Sequence, residues 1–144
     1  MIQSNWKALV TGALLVCAIV PMTSFAEGKH KVVIQVSSAD EDTQKLALNN
    51  AVNVQKDLGM DNVEIEVVAY GPGLSIMTPK SQEATRVKSL ATQNIKFSAC
   101  GNTIKAVTKK TGKEPTLTEG VNVVPAGVIR IMELQGQGYA YVRP

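Results

Sequence analysis

The chain of 144 residues, 44% hydrophobic and 19% charged, has the length and composition of one globular domain and not of a disordered segment. Aromatics make up only 4%, so a core has to be built from Val, Ile, Leu and Ala, which suits helices packed closely on a parallel sheet. The formal charge of +3 includes Lys7, and the other Lys and Arg residues are spread among acids instead of gathered in a stripe, which argues against a nucleic-acid partner.

The chain opens with the pattern of a secretory signal. Lys7 supplies a positive n-region, Ala8 to Val20 an apolar h-region, and Ser24-Phe25-Ala26 a small-x-small cleavage site. This predicts a signal peptide over residues 1–26, a mature domain over 27–144 beginning at Glu27, and delivery to the periplasm. An h-region of about 13 residues falls short of the roughly 20 needed to span a bilayer, so no membrane association is expected after cleavage. Cys17 lies inside the h-region behind Val16, where a lipoprotein signal needs a small residue, and leaves with the signal.

Val32 to Val36 is a short β-branched run and predicts the first strand, bounded by Ser37-Ser38-Ala39-Asp40. Asp40 is placed to cap a helix over Glu41 to Leu58, where Ala47, Ala51, Val54 and Leu58 recur at helical spacing, Leu48 and Val52 widen the stripe, and Gly59 ends it. Val63 to Ala69 predicts a second strand, emptying into Tyr70-Gly71-Pro72-Gly73-Leu74. Thr78 and Pro79 are read as N-cap and first residue of a second helix, with Ala84, Val87, Leu90 and Ala91 facing inward.

Ile95 to Ala99 is the third strand. It runs into Cys100-Gly101-Asn102-Thr103 and a short helix that turns Ile104 and Val107 inward, Lys105, Lys109 and Lys110 outward, and stops at Gly112. Residues 113 to 120 read as loop and Val121 to Val124 as a fourth strand. Pro125 opens another helix, whose Val128, Ile129, Ile131 and Met132 are dense enough for cover on more than one side. Gly136 and Gly138 end it before a last strand, Tyr139 to Val142. Strand and helix alternate throughout, which predicts an α/β domain with a mostly parallel sheet of about five strands, helices on both faces and right-handed crossovers.

In such a sheet ligands bind beyond the carboxyl ends of the strands. Ser37 to Asp40, Gly71 to Gly73, Cys100 to Thr103 and Val124 to Gly127 therefore converge on one edge. On it, Cys100 is the strong nucleophile. Just ahead of a helix its sulfur faces unpaired N–H groups, which favour thiolate over thiol, and Asn102 and Thr103 add donors. Gly101, Asn102, Thr103, Ser38, Gly71 and Gly73 are the expected substrate-binding residues around it. Position alone does not separate a reactive thiol from a small buried hydrophobe. An odd cysteine in an oxidising compartment, inert, paired between chains or reactive, tilts the reading toward the reactive group.

Other chemistries have less support. Gly71-Pro72-Gly73 lacks the Gly-Lys-Ser/Thr ending of a phosphate loop and reads as a rigid turn. His30 is the single histidine and lies near the mature N-terminus, so neither a zinc site nor a Ser-His-Asp triad with Ser37, Ser38 or Ser75 has its parts, and no cofactor is expected. Asp40, Glu41 and Asp42 read as the acidic first turn of a helix.

Ile95-Lys96-Phe97-Ser98-Ala99-Cys100-Gly101-Asn102-Thr103-Ile104, followed by Gly120-Val121-Asn122-Val123-Val124-Pro125-Ala126-Gly127-Val128 and by Leu134-Gln135-Gly136-Gln137-Gly138-Tyr139-Ala140-Tyr141, resembles the DsrE/DsrF-like family of sulfur-relay proteins. The resemblance spans nearly the whole mature chain. It implies a three-layer flavodoxin-like domain, assembly as a homo-oligomer, trimer or hexamer, and a cysteine, Cys100 here, that accepts a sulfane sulfur as a persulfide and hands it to a partner thiol. At most this is a sulfurtransferase-like persulfide carrier. The better-known members work in the cytoplasm, so for a secreted chain the donor and acceptor do not carry over. The alternative is a non-catalytic protein of the same fold that binds a small ligand or serves oligomeric assembly.

Overall fold

The computed structural model describes residues 28–144, and the predicted signal peptide lies outside the described residues. Five strands, β1 (His30–Val36), β2 (Val63–Ala69), β3 (Ile95–Cys100), β4 (Val121–Val124) and β5 (Ala140–Val142), form one sheet in the order β4-β3-β2-β1-β5. All four pairings are parallel. The helices are α1 (Glu41–Leu58), a 3-10 helix over Gly71–Met77, α2 (Ala84–Ala91), α3 (Gly101–Thr111) and α4 (Gly127–Gly136). The expected α/β architecture is the one observed.

Strand order decides which face each helix takes. From β1 to β4 every step moves one place across the sheet in the same direction, so right-handed crossovers put α1, α2 and α3 on one face. The step from β4 to β5 returns to the opposite edge and carries α4 to the other face. The two apolar clusters follow this division. Val32, Ile34, Val36, Ile65, Val67, Phe97 and Ala99 pack against Ala47, Leu48 and Ala51 of α1, Ile76 and Met77 of the 3-10 helix, Val87 of α2 and Ile104 of α3. On the second face Val33 and Val68 meet Ile131 and Leu134 of α4 and Tyr139.

Local signals set the element ends. The Asp40 carboxylate accepts from the amide of Thr43 at 2.8 Å and caps α1, and Gln44 donates to the carbonyl of Ser38 at 2.9 Å and to the Ser75 hydroxyl at 2.7 Å, tying the β1–α1 loop to the 3-10 helix.

Three expectations are corrected. Thr78 and Pro79 do not open a helix: Thr78 closes the 3-10 helix, its hydroxyl donating to the carbonyl of Ser75 at 2.8 Å, and α2 begins only at Ala84. Pro125 precedes α4 by two residues, with Ala126 as N-cap. Among the described residues α4 is not covered on several sides, since Ile131 and Leu134 are buried while Val128, Ile129 and Met132 are exposed, Met132 to 61%. The second face is too polar and too sparsely covered to use that stripe.

Candidate functional site at the end of β3

α3 leaves β3 toward one face and α4 leaves the neighbouring β4 toward the other, so the crevice between these two strand ends is the topological switch point of the sheet. Cys100, the last residue of β3 and the N-cap of α3, stands there opposite Val124. Ala99 joins the core of the α1–α3 face, and strand alternation turns Cys100 to the α4 side.

The two junctions interlock. The amide of Asn102 donates to the carbonyl of Pro125 at 3.2 Å, and a Cβ on Gly101 would stand 3.1 Å from the carbonyl oxygen of Val124. Gly127, the first residue of α4, sits over the cysteine so closely that an added Cβ would lie 3.3 Å from the Cys100 Cβ and 3.1 Å from the Tyr70 ring. Only a residue without a side chain lets the α4 backbone come this near. The Gly71 amide donates to Thr103 Oγ1 at 2.9 Å and ties the start of the 3-10 helix to α3.

The surroundings of the sulfur act in two directions. Burial pushes the thiol up, but the Thr103 hydroxyl and the amides of Gly127, Thr103 and Asn102 together outweigh it and hold the thiol below its ordinary range. The sulfur closes no side-chain capping bond onto α3, so these donors are grouped around it without a fully formed cap. Such contacts in a resting site commonly tighten only as charge develops. The Gly71 amide occupies a lone pair of Thr103 Oγ1, which leaves the hydroxyl proton free to point at sulfur.

Cys100 itself is only 5% exposed, less open than a site at the mouth of a turn suggests. It belongs to neither buried apolar cluster, and the α4 backbone at Gly127 stands against it. Among the residues expected around it, Gly101, Asn102, Thr103 and Gly71 are brought together with it. Ser38 and Gly73 serve the β1 end instead. Ser38 Oγ accepts from the Asp40 amide at 3.1 Å, and a Cβ on Gly73 would fall 2.2 Å from the Val36 carbonyl oxygen.

Three residues beneath the site were not expected there. The Glu66 carboxylate on β2, 1% exposed, accepts from Arg130 Nε at 2.8 Å, from Arg130 Nη2 at 2.7 Å and from the Ser98 hydroxyl at 2.7 Å. Burial pushes this carboxyl up, but the Arg130 and Ser98 hydrogen bonds outweigh it and leave it below its ordinary value. Its hydrogen bonds in turn raise the Arg130 guanidinium. Among the described residues no group of three or more His, Cys, Asp or Glu could hold a metal ion, and no helix is long and apolar enough to cross a membrane.

The model of the DsrE/DsrF-like family matches residues 30–144, from the first residue of β1 to the end of the chain. The chain belongs to the DsrE/DsrF-like family. The structure of a protein of unknown function from Methanobacterium thermoautotrophicum is similar to it at 36% identity and a TM-score of 0.72, covering 81% of this chain and 100% of that one. No curated protein matches.

Proposed function

We propose that this DsrE/DsrF-like protein is a periplasmic sulfur carrier, with Cys100 as the residue that bears the persulfide. The observation that carries the reading is the place of one thiol: Cys100 is the N-cap of α3 at the switch point of the sheet, with the first residue of α4 packed against it. Export is supported by Lys7, the apolar run Ala8 to Val20 and the Ser24-Phe25-Ala26 site.

The chemistry is thiolate attack on a sulfane sulfur. The Cys100 thiolate forms a bond to the terminal sulfur of a donor such as polysulfide. The donor's S–S bond breaks, and the shortened donor leaves with the electron pair. An acceptor thiolate then attacks the outer sulfur of the persulfide and releases Cys100 as thiolate, so the carrier is unchanged over a cycle. The grouped donors stabilise the anion at both ends of that cycle.

Assembly as a homo-oligomer belongs to the same proposal. It is supported by Val128, Ile129 and Met132, which form one exposed apolar stripe on α4. Native mass spectrometry is expected to report a trimer or hexamer, and Met132→Lys to shift it toward smaller species.

The deciding test is to incubate the protein, as the cell processes it, with polysulfide and weigh the peptide containing Cys100. A gain of sulfur mass that a thiol reductant removes, absent in Cys100→Ser, is expected. No gain on wild type, or the same gain in Cys100→Ser, rejects the carrier.

A further inference from the structure

Gly127 stands so close to Cys100 that an added Cβ would lie 3.3 Å from the Cys100 Cβ, and it keeps that place only if α4 keeps its height and rotation over the sheet. Grease alone holds α4 weakly. Beyond Gly127 only Ile131 and Leu134 of the helix are buried, and apolar contact is non-directional. The Asn102–Pro125 bond ties the chain just ahead of α4, and from within the helix the directional contact to the sheet is the fork of Arg130, both arms of which close on Glu66 at 2.8 and 2.7 Å, while Ser98 holds the same carboxylate from β3 at 2.7 Å. Arg130 also reaches Glu133 on its own helix at 3.4 Å, and Lys96 and the Tyr139 ring complete the charged and titratable groups around Glu66.

The placement of this clamp is specific. Ser98 is two residues before Cys100 on the same side of β3, and Arg130 is three residues, about one turn, after Gly127 on α4. Arg130 borders the same small cleft as Val124, Pro125 and Ala126, the loop whose carbonyls meet the start of α3. The clamp is thus the next rung below the Cys100–Gly127 contact on both elements that form it.

We infer that the Glu66–Arg130 pair, seated on Ser98, is a positioning device that sets the first amide of α4 over the sulfur of Cys100. The inference rests on Cys100 acting as a thiolate and names the residues that keep it so from outside its own shell. The pair's use is direction, not stability, because a buried ion pair is commonly matched or exceeded in stability by apolar side chains of similar size.

Two variants that keep the net charge test it. Arg130→Lys retains the positive charge and loses the fork. The double variant Glu66→Leu/Arg130→Met removes one charge of each sign and leaves an apolar contact. The readout is the pH–rate profile of alkylation by iodoacetamide, followed on the Cys100 peptide so that Cys17 does not contribute, alongside denaturant unfolding. In both variants the profile is expected to move toward higher pH, lowering the thiolate fraction at neutral pH roughly three- to tenfold, while the double variant, which leaves the buried Ser98 hydroxyl without its acceptor, still unfolds cooperatively.

A folded double variant whose profile coincides with that of wild type overturns the inference. If that variant fails to fold, Arg130→Lys decides, since an unmoved profile there has the same consequence. Polysulfide uptake by wild type separates this from the parent reading. A wild type that takes up no sulfur, while the variants still shift the profile, removes the carrier and leaves the clamp.

Discussion

Thr103→Val removes the hydroxyl that faces the sulfur and nearly preserves side-chain volume. Two consequences follow from its contacts. The Gly71 amide, 2.9 Å from Oγ1 in wild type, loses its acceptor in a half-buried setting, which costs about 1–3 kcal/mol in denaturant unfolding. The thiolate loses its one side-chain donor. A hydrogen bond to a charged group is worth about 1.5–3 kcal/mol, so the thiolate fraction at fixed neutral pH falls by roughly one to two orders of magnitude. The remaining thiolate is more basic and attacks faster with a Brønsted coefficient of about 0.4–0.5, which returns roughly half of the logarithm. The net expectation is a drop in the alkylation rate of Cys100 of about three- to tenfold at neutral pH, closing as the pH rises. Thr103→Ser keeps the hydroxyl and is expected to keep the wild-type rate. Because the thiol is 5% exposed, access limits the absolute rate, but it is common to all three proteins and cancels in the ratios. Equal rates for Thr103→Val and wild type across the whole pH range refute the role given to this hydroxyl.

Further outcomes follow from the same geometry. Gly127→Ala introduces a Cβ 3.1 Å from the Tyr70 ring and 3.3 Å from the Cys100 Cβ, and is expected to destabilise by about 1–3 kcal/mol and to slow alkylation of Cys100, both measured on one preparation. Gly73→Ala meets the Val36 carbonyl oxygen at 2.2 Å, backbone against backbone, and is expected to lower the melting temperature while leaving the alkylation profile of Cys100 in place. The Glu66 carboxyl lies below its ordinary value when folded, so its contribution to stability is present above the unfolded-state value of about 4.3 and is lost as the pH falls through the folded value. Unfolding midpoints of wild type are therefore expected to fall more steeply than those of Glu66→Gln below about pH 4, and parallel curves count against the assignment.

The elements whose ends are local chemistry were legible in the chain. α1 runs from the residue after Asp40 to the residue before Gly59, β2 occupies Val63–Ala69, and Gly112 follows α3, as the caps and β-branched runs indicate. The 3-10 helix was not, because Gly-Pro-Gly reads as a turn and the following Leu74, Ile76 and Met77 are too few to show a period. Cys100 and its loop partners could be placed from strand and helix order alone. The clamp was missed for a different reason: Glu66 and Arg130 lie 64 positions apart, and Glu64 and Glu66 together look like the outward face of an ordinary strand. One signal was present. An arginine between Ile129 and Ile131 and a glutamate in the middle of an apolar parallel strand are each costly alone, and each needs an opposite charge.

Polarity on the α4 face of the sheet connects these observations. On that face Lys31, Glu64, Lys96 and Asn122 are not fully buried, whereas Gln35, Glu66, Ser98 and Cys100 are. A single helix cannot bury a face of this composition by apolar contact, so it is anchored by hydrogen bonds to the buried Glu66, which Ser98, two residues before the thiol on β3, holds in turn. The same arrangement leaves the apolar stripe of α4 turned outward. On this view burial of Cys100 is compatible with carriage: the thiol has to be held charged and kept from adventitious oxidation between a donor and an acceptor, and a half-closed switch point under a clamped helix meets both demands.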